Sequence, residues 1–579
     1  MCGIAGLLGV ADEGVVRAMT ERIAHRGPDG VRVETLIPPG GAAATATLGH
    51  ARLSIIDLEC GWQPLHAAGS TVIGNGEIYN YRELIAEHGL EGALATGSDF
   101  EPLLHLYARE GERAFARLRG MYAFCLVGGD GRTWLVRDPF GIKPLHLRED
   151  ARGLAFASEP RALGTERLTQ EAAEELLALN YRVSGRNALA PGEVREVSGG
   201  SVEGGEIAYS ARAGGSGGPP LSTPRPPRGR ASAGSEADLL ARLDAVLEDS
   251  VAVHQRSDVP YGLFLSGGVD SAVVATLMAR LNSRPVTAFT CGFEAPGAPD
   301  ERAAAERVAR ALDLDWRETT FAEADFWRVL PEAAWALDDP TCDYAVLPTW
   351  KLGEAARGVL TVVLTGEGGD ELFAGYGRYR RALRPRWLGG RPAEPQVDAP
   401  WLPDGGRGAL ARWRSKAGRS ASTLLDAQQA DLATWLPHDL LLKLDRCLMA
   451  HGLEGRTPFL DSEVAAFALA LPDRFKVRGR WGKWLLRRWL ERACPAAAPW
   501  ARKQGFTVPV EAWIAPRARE LGGRLGRHEG LAEVCDMAAV RAAFADDRAS
   551  ARRWPLLFYA TWWNIHVAGM TRAEAALQG

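Results

Sequence analysis

Residues 261–281 read YGLFLSGGVDSAVVATLMARL, and this stretch decides the fold of the second half of the chain. The apolar run YGLFLS ends in the glycine pair of SGGVDS, and SAVVATLMARL then repeats apolar residues at helical spacing. This order predicts a strand, a glycine-rich turn and a helix. Backbone N–H groups at the start of a helix that follows such a turn favour a phosphate anion.

The residues of the turn fit the same interpretation. Ser266 and Ser271 add hydroxyl donors, while Gly267 and Gly268 let the backbone approach a ligand closely. The chain contains no GxxxxGK[ST] pattern, so the turn is not a Walker loop. A glycine-rich turn can also bind nothing, but SGGVDS directly after an apolar strand favours a site for nucleotide phosphates.

Strands and helices alternate on both sides of this turn. The spacing of apolar residues predicts a helix at 237–255, a strand at 285–293, and a strand with a second glycine-rich turn, GVLTVVLTGEGGDE, at 358–371. Alternation of this kind predicts a parallel α/β sheet. Helical patterns dominate the sequence that follows, which predicts a helical C-terminal part.

Residues 1–210 show a different pattern, with short strands and glycine-rich turns. Apolar and small residues alternate in GSTVIGNGEI and GMYAFCLVGGDGRTWLVRD, as in antiparallel strands of an α+β domain. Gly, Pro and Ser dominate residues 211–237, which is typical of a flexible linker. The prediction is two domains, at 2–210 and 238–579, joined by the linker at 211–237.

Composition limits the partners of the chain. Its 579 residues include 68 Lys and Arg and 72 Asp and Glu, which gives a net charge of −4. This balance argues against a nucleic-acid partner, because binding phosphates needs a surplus of cations. The sequence has neither an apolar stretch long enough to span a membrane nor a signal-peptide pattern, so we expect a cytoplasmic protein with no membrane partner.

The eight cysteines are spread along the chain without a CxxC pair, which argues against a disulfide framework or a zinc site. We expect seven of them to be small buried hydrophobic residues. Cys2 differs, because removal of Met1 would leave its thiol and a free α-amine on one residue. An amine with a pKa of about 7.7–8.0 can serve as the base for the thiol. Cys2 is therefore a candidate nucleophile, although a cysteine at a frayed terminus can also be inert.

Six motifs occur together around this cysteine. In chain order they are MCGIAG (1–6), HRGPDG (25–30), GHARLSIIDL (49–58), NGEIYNYREL (75–84), TGSDFEPLLHLY (96–107) and RDPFGIKPL (137–145). Together they resemble the glutaminase half of asparagine synthetase, a glutamine amidotransferase of the N-terminal-nucleophile type. LLLKLDRCLMAHGLEGRTPFLD (440–461) and ARKQGFTVP (501–509) resemble the same family.

The resemblance implies a fold for each half. The first half is expected to be an antiparallel αββα Ntn-hydrolase domain. The second is expected to be a parallel α/β adenine-nucleotide α-hydrolase-like domain of the PP-loop type, with a helical extension. Members of the family are often dimers, which predicts a homodimer.

The resemblance also implies roles for residues of the first half. The side-chain amide of Asn75 and the backbone N–H of Gly76 would stabilise the oxyanion that forms during glutamine hydrolysis. Arg52 suits the α-carboxylate of glutamine through a bidentate pair. Asp99 and the backbone around Glu77 suit its α-ammonium group.

In the second half, the resemblance implies a site for ATP and Mg²⁺. Leu265, Cys291, Thr365 and Gly366 would line the nucleotide through backbone contacts, beside the SGGVDS turn. Asp270 and Asp370 would hold the metal on the pyrophosphate, since Mg²⁺ takes oxygen ligands together with substrate phosphates.

Lysine is rare in this chain, and that rarity supports one further residue. Only 7 of the 68 cations are Lys, and Lys503 is the only Lys after Lys483. Arg cannot replace a compact ammonium on a phosphate or a developing charge. The resemblance implies that Lys503 lies near the pyrophosphate and the acyl-adenylate, and that Glu367 orients ammonia or takes its proton.

The implied function is an ATP-dependent carbon–nitrogen ligase whose partners are small molecules: glutamine, ATP and a carboxylate acceptor. L-Aspartate is the first candidate acceptor. Tyr344 stands where an Arg is expected, which leaves open a carboxylate on a peptide, a polysaccharide or a natural product. Two different classes of function are an ATP-dependent cyclase like β-lactam synthetase and a non-catalytic scaffold. The presence of both Cys2 and Glu367 argues against each of them.

Overall fold

The computed structural model describes residues 2–36, 46–150, 153–164, 167–199, 209–211, 235–295, 298, 300–418, 423–501, 508–546 and 552–576. The linker predicted at 211–237 lies mostly outside these residues, and Lys503 lies wholly outside them.

Two antiparallel sheets form the first half. The strands are β1 (Gly3–Leu8), β2 (Gly30–Leu36), β3 (Ala46–Arg52), β4 (Leu65–Ala67), β5 (Ser70–Ile78), β6 (Gly120–Val127), β7 (Thr133–Arg137), β8 (His146–Asp150), β9 (Gly153–Ala157), β10 (Val194–Gly199) and β11 (Tyr209–Ala211). Their order is β2-β3-β1-β9-β8 in the first sheet and β11-β10-β7-β6-β5-β4 in the second. The helices are α1 (Glu13–Glu21), α2 (Tyr81–His88), α3 (Glu101–Glu110), α4 (Pro160–Leu163) and α5 (Gln170–Leu179).

The sheets pack face to face between two layers of helices. Alternate residues of β1 point to opposite faces, so Ile4 meets Ile73 of β5 between the sheets while Leu7 packs with Val16 of α1. Phe100, just before α3, belongs to the core beneath the second sheet. The prediction of an antiparallel αββα domain is confirmed.

A five-stranded parallel sheet forms the centre of the second half. Its strands are β12 (Tyr261–Phe264), β13 (Thr287–Phe293), β14 (Asp315–Phe321), β15 (Val362–Leu364) and β16 (Glu454–Arg456), in the order β14-β13-β12-β15-β16. The direction of winding reverses between β12 and β15. Ligands of such folds bind outside the carboxyl ends of the strands at this reversal, and both glycine-rich turns lie there.

Helices cover this sheet and extend beyond it, as expected for an α/β domain with a helical extension. They are α6 (Glu236–His254), α7 (Val269–Leu281), α8 (Arg302–Ala311), α9 (Glu323–Ala336), α10 (Val346–Ala356), α11 (Gly369–Leu372), α12 (Gly377–Ala382), α13 (Arg407–Ala417), α14 (Leu424–Ala433), α15 (Leu441–Met449), α16 (Ser462–Ala470), α17 (Asp473–Lys476), α18 (Trp484–Ala493), α19 (Val510–Ile514), α20 (Ala518–Leu525), α21 (Glu529–Ala532), α22 (Met537–Ala545), α23 (Arg553–His566) and α24 (Arg572–Ala575). A hairpin of β17 (Val477–Arg478) and β18 (Trp481–Gly482) precedes α18.

Among the described residues, no helix is both long and apolar enough to cross a membrane. The expectation that seven cysteines are buried is wrong for Cys60, which is exposed on the loop after Asp57. The domain limits at residues 210 and 238 stay a prediction.

Candidate active site

Cys2 lies at the edge of a small pocket in the first half. It directly precedes β1, and its Sγ donates a weak hydrogen bond to the carbonyl oxygen of Leu53 at 3.8 Å. Burial raises the pKa of the Cys2 thiol above its usual value. The thiol therefore needs a base to become a nucleophile, since the thiolate is the reactive form.

The Asn75 amide is buried without a partner. Asn75 is fully buried on β5, and neither its Nδ2 nor its Oδ1 has a hydrogen-bond partner among the residues that the structure describes. A buried amide left in this state costs free energy, so native proteins rarely keep one without a use. The next residue, Gly76, has a φ of +137°, and a Cβ there would lie 1.9 Å from the carbonyl oxygen of Met121. Only glycine fits this position.

Acidic side chains and one arginine complete the pocket. It is lined by Cys2, Arg52, Gly76, Glu77 and Asp99, among others. Asp99 accepts a hydrogen bond from the backbone N–H of Ile78 at 2.7 Å, and burial, aided by the charge of Glu454, raises the pKa of Asp99 to about 7.

Arg52 supports the loop beside this pocket. Its guanidinium donates to the carbonyl oxygens of Asp57 at 2.5 Å and Leu58 at 3.2 Å, and it stacks over Trp62 at 4.8 Å. The structure thus gives Arg52 a loop-holding role that sequence reasoning did not predict.

The two glycine-rich turns of the second half pack against each other. A Cβ on Gly366 would lie 2.8 Å from the Cβ of Asp270, so glycine permits the close approach. In the first turn, the Ser271 hydroxyl accepts from the N–H of Ser266, and the Ser266 hydroxyl accepts from the N–H of Gly268, each at 3.1 Å. Both hydroxyls therefore shape the turn, in addition to any role toward a ligand.

The remaining residues predicted to bind the nucleotide lie on segments near the contact between the two glycine-rich turns. Leu265 is held by a hydrogen bond from its N–H to Phe289, Cys291 lies buried on β13, and the N–H of Thr365 donates to the carbonyl oxygen of Arg456 at 2.9 Å. All of them lie on segments at the carboxyl ends of β12, β13 and β15.

Lys483 joins the two predicted metal ligands. Its Nζ lies 2.7 Å from Oδ1 of Asp370 and also contacts Asp270. Burial alone would lower the pKa of Lys483, but the charges of Asp270 and Asp370 outweigh burial and raise it. The backbone of Lys483 is left-handed, with a φ of 57°, which is uncommon outside glycine and clusters at functional sites.

A third group of charges surrounds Glu367. The Nζ of Lys443 lies 3.7 Å from Oε1 of Glu367 and 3.1 Å from Oδ2 of Asp343. Burial raises the pKa of Glu367, and the charge of Lys443 opposes that rise. Tyr344 lies next to Asp343 and is 37% exposed. The segment in which an Arg was expected thus borders a buried lysine that sequence reasoning missed.

Arg456, on β16, lies between the two sites. Its Nη2 lies 3.5 Å from Oε1 of Glu77 in the Cys2 pocket, and its carbonyl oxygen accepts from Thr365 beside the second glycine-rich turn. The buried residue Arg456 therefore contacts both the Cys2 pocket and the segment beside the second glycine-rich turn.

Sequence reasoning missed Lys443 and Lys483, although a signal for both exists. Four of the six described lysines are buried, namely Lys143, Lys443, Lys476 and Lys483. Buried lysines in a chain that otherwise uses Arg indicate positions where a compact ammonium is needed. The same argument that favoured Lys503 would have selected these two.

Comparison with known proteins agrees with this two-part arrangement. A family model described as asparagine synthase matches residues 242–565, and one described as a glutamine amidotransferase domain matches residues 1–205.

Full-length relatives carry related names. A Mycobacterium tuberculosis protein provisionally described as a glutamine-hydrolysing asparagine synthetase is 34% identical over 98% of this chain and 96% of its own. Asparagine synthetase [glutamine-hydrolyzing] 1 of Bacillus subtilis is 30% identical over 98% and 97%. Asparagine synthetase B [glutamine-hydrolyzing] of Escherichia coli is 28% identical over 89% and 83%.

Removing the shared ammonium should destabilise the fold. We expect Lys483→Met to lower the free energy of unfolding by about 3 kcal/mol, the lower end for a broken buried ion pair, because both carboxylates are partly exposed. Chemical denaturation measures the change, with Lys416→Met as the control on an exposed lysine. Equal stability of the two variants would contradict the assigned ion pairs.

Proposed function

The chain belongs to the asparagine synthase family, and we propose that it transfers the amide nitrogen of glutamine to a carboxylate activated by ATP, first of all that of L-aspartate. The products would be glutamate, asparagine, AMP and pyrophosphate. The observation that carries the proposal is the unpartnered amide of Asn75, the residue before Gly76 in the lining of the Cys2 pocket. The other half of the chain brings two glycine-rich turns together at the reversal of a parallel sheet.

Glutamine hydrolysis begins at Cys2. Once Met1 is removed, the α-amine of Cys2 takes the thiol proton, and the sulfur attacks the side-chain carbonyl carbon of glutamine. The oxyanion receives hydrogen bonds from Asn75 and from the N–H of Gly76. Ammonia leaves, and water hydrolyses the thioester to glutamate. Arg52 and Asp99 bind the α-carboxylate and the α-ammonium of the substrate.

The second half activates the acceptor. A carboxylate oxygen attacks the α-phosphorus of ATP, and pyrophosphate leaves. The SGGVDS turn, with Ser266 and Ser271, holds the phosphates through backbone N–H groups at the start of α7. Lys483, and Lys503 from outside the described residues, offset the charge that develops on pyrophosphate.

The donor set at this junction fits Mg²⁺. Asp270 and Asp370 converge on one cation, Lys483, and a hard divalent ion accepts such oxygen ligands. Within the described residues, no group of three or more His, Cys, Asp or Glu side chains could hold a metal alone, so phosphate oxygens would complete the shell. When bound, the ion would neutralise charge on the pyrophosphate.

Amide formation completes the reaction. Ammonia passes from the first half to the second within the protein and attacks the acyl carbon of the adenylate, and AMP leaves. Glu367 takes a proton from the attacking nitrogen. Burial raises the pKa of Glu367, which makes it a better proton acceptor.

A different acceptor is the second candidate, and Tyr344 favours it. An Arg at this position would suit a carboxylate of the acceptor substrate, whereas the partly exposed Tyr344 suits it less well. The same chemistry on a peptide, polysaccharide or natural-product carboxylate would use all the other residues unchanged.

Loss of the nucleophile should separate the two activities. We expect Cys2→Ala to abolish glutamine-dependent amidation and to spare amidation from free ammonia, because only the first step needs the thiol. Product formation with each nitrogen donor measures this, and Cys60→Ala, on an exposed cysteine, should keep both activities. Equal loss of both in Cys2→Ala would refute a two-site scheme.

Loss of the buried amide should cost activity without costing stability. We expect Asn75→Ala to slow glutamine hydrolysis by on the order of 10²–10³, as for loss of an oxyanion donor. Its melting temperature should not fall, because the amide has no partner to lose. Asn564→Ala, which removes a hydrogen bond to His528, should lower the melting temperature and keep the activity. Unchanged hydrolysis in Asn75→Ala would contradict the assigned role.

A screen of acceptors tests the second half. We expect pyrophosphate and AMP to appear from ATP only when a carboxylate acceptor is present, and L-aspartate is the first to try. Other amino acids, dicarboxylates, sugar acids and peptides form the rest of the panel, and release is measured for each. Formation of ADP and phosphate instead would exclude an acyl-adenylate.

A further inference from the structure

A cluster of buried charges lies where the two halves of the chain meet, apart from the residues assigned above. The first half contributes Arg26 and Glu159, α15 contributes Asp445 and Arg446, and Asp338 precedes α10. Arg446 Nε lies 3.0 Å from Asp338 Oδ1, and its Nη2 donates to the carbonyl oxygen of Ser158 at 3.2 Å. Charges buried this deeply persist only when each is paired.

Arg26 is the member of the cluster that reaches Cys2. It is fully buried, and its Nη1 and Nη2 donate to the two carboxylate oxygens of Asp445 at 2.8 and 3.0 Å. Nη1 also donates to Glu159 at 2.8 Å, and Nε donates to the carbonyl oxygen of Cys2 at 3.3 Å. Because the guanidinium is planar and rigid, the bidentate pair with Asp445 sets the direction in which Nε points.

We propose that Asp445, a residue of the second half, is a positioning residue for the Cys2 nucleophile. Asp445 holds the guanidinium plane of Arg26, and Arg26 holds the backbone carbonyl of Cys2 just before β1. This inference rests on the proposed role of Cys2 in glutamine hydrolysis. Arg26 is held by two carboxylates, Glu159 from the first half and Asp445 from the second. The first half alone cannot supply Asp445, so Cys2 is aligned only when the second half is docked against it.

The position of Asp445 in the chain adds weight to this assignment. Two residues earlier on α15, Lys443 contacts Glu367 at the proposed site of amide formation. The turn before α15, Leu436–Leu440, is π-helical, an irregularity that is frequent at functional sites. One short helix therefore contacts the Cys2 backbone through Arg26 at one point and the second site at another.

Kinetics of the full-length chain test the proposal. In Asp445→Asn, one acceptor oxygen becomes an NH₂ donor that faces the guanidinium of Arg26. The bidentate pair is therefore lost, while the volume of the side chain is kept. We expect kcat for glutamine hydrolysis to fall by about 10–100-fold, the scale of a nucleophile misplaced by a fraction of an ångström to 1 Å. KM for glutamine should change little, and amidation from ammonia should persist.

A matched variant separates positioning from general stability. Asp461→Asn removes another buried carboxylate that pairs across the same junction, with Arg119 Nε at 2.7 Å, yet it touches neither Arg26 nor Cys2. It should keep kcat for glutamine hydrolysis. Arg26→Lys should lower kcat as Asp445→Asn does, and the double variant should lose no more than Arg26→Lys alone, because both act through one contact.

The results that would overturn the positioning role of Asp445 differ from the result that would overturn the proposed function. Equal kcat in Asp445→Asn and the unaltered chain, an equal fall in Asp461→Asn, or additive losses in the double variant would overturn the positioning role. So would loss of ammonia-dependent amidation together with glutamine hydrolysis, since that indicates a role in folding alone. If the unaltered chain hydrolyses no glutamine, the proposed function itself fails.

Discussion

The pairing of buried charge at the junction of the two halves is the constraint on which the rest of the structure depends. Arg26 and Asp445 are 419 residues apart in sequence, yet each is buried and each satisfies the other. An unpaired charge in this position would cost several kcal/mol, so the halves can dock only in the register that pairs them. That register brings Arg456 of β16 to Glu77 and thereby joins the neighbourhoods of both sites.

Within each half, glycine residues position the site by allowing two backbone segments to pack closely. Gly76 allows β5 to pass the β6 carbonyl of Met121 where a side chain would collide. Gly366 allows the turn after β15 to touch the turn after β12, so that Asp270 and Asp370 meet on Lys483. The charged groups that the reaction needs are held by elements that glycine permits to pack closely.

The sequence predicted what is local and missed what is distant. The SGGVDS turn, the antiparallel strands around residue 75 and the candidate nucleophile Cys2 follow from short patterns, because strand, turn and helix preferences act over a few residues. Asp270, a partner of Lys483, lies 213 residues from it, and Asp343, a partner of Lys443, lies 100 residues from it. No spacing along the chain predicts such contacts. The scarcity of lysine, which the sequence analysis applied only to Lys503, is a signal for these two positions as well, but it does not name their partners.

The central claim is that nitrogen released at the Cys2 pocket is used in the second half without leaving the protein. The most direct test supplies glutamine labelled with ¹⁵N in its amide, together with unlabelled ammonium in solution, and measures the label in the amide product by mass spectrometry. The account predicts a product enriched in ¹⁵N well above the ammonium pool of the solution. A product whose label equals that of the pool would contradict it.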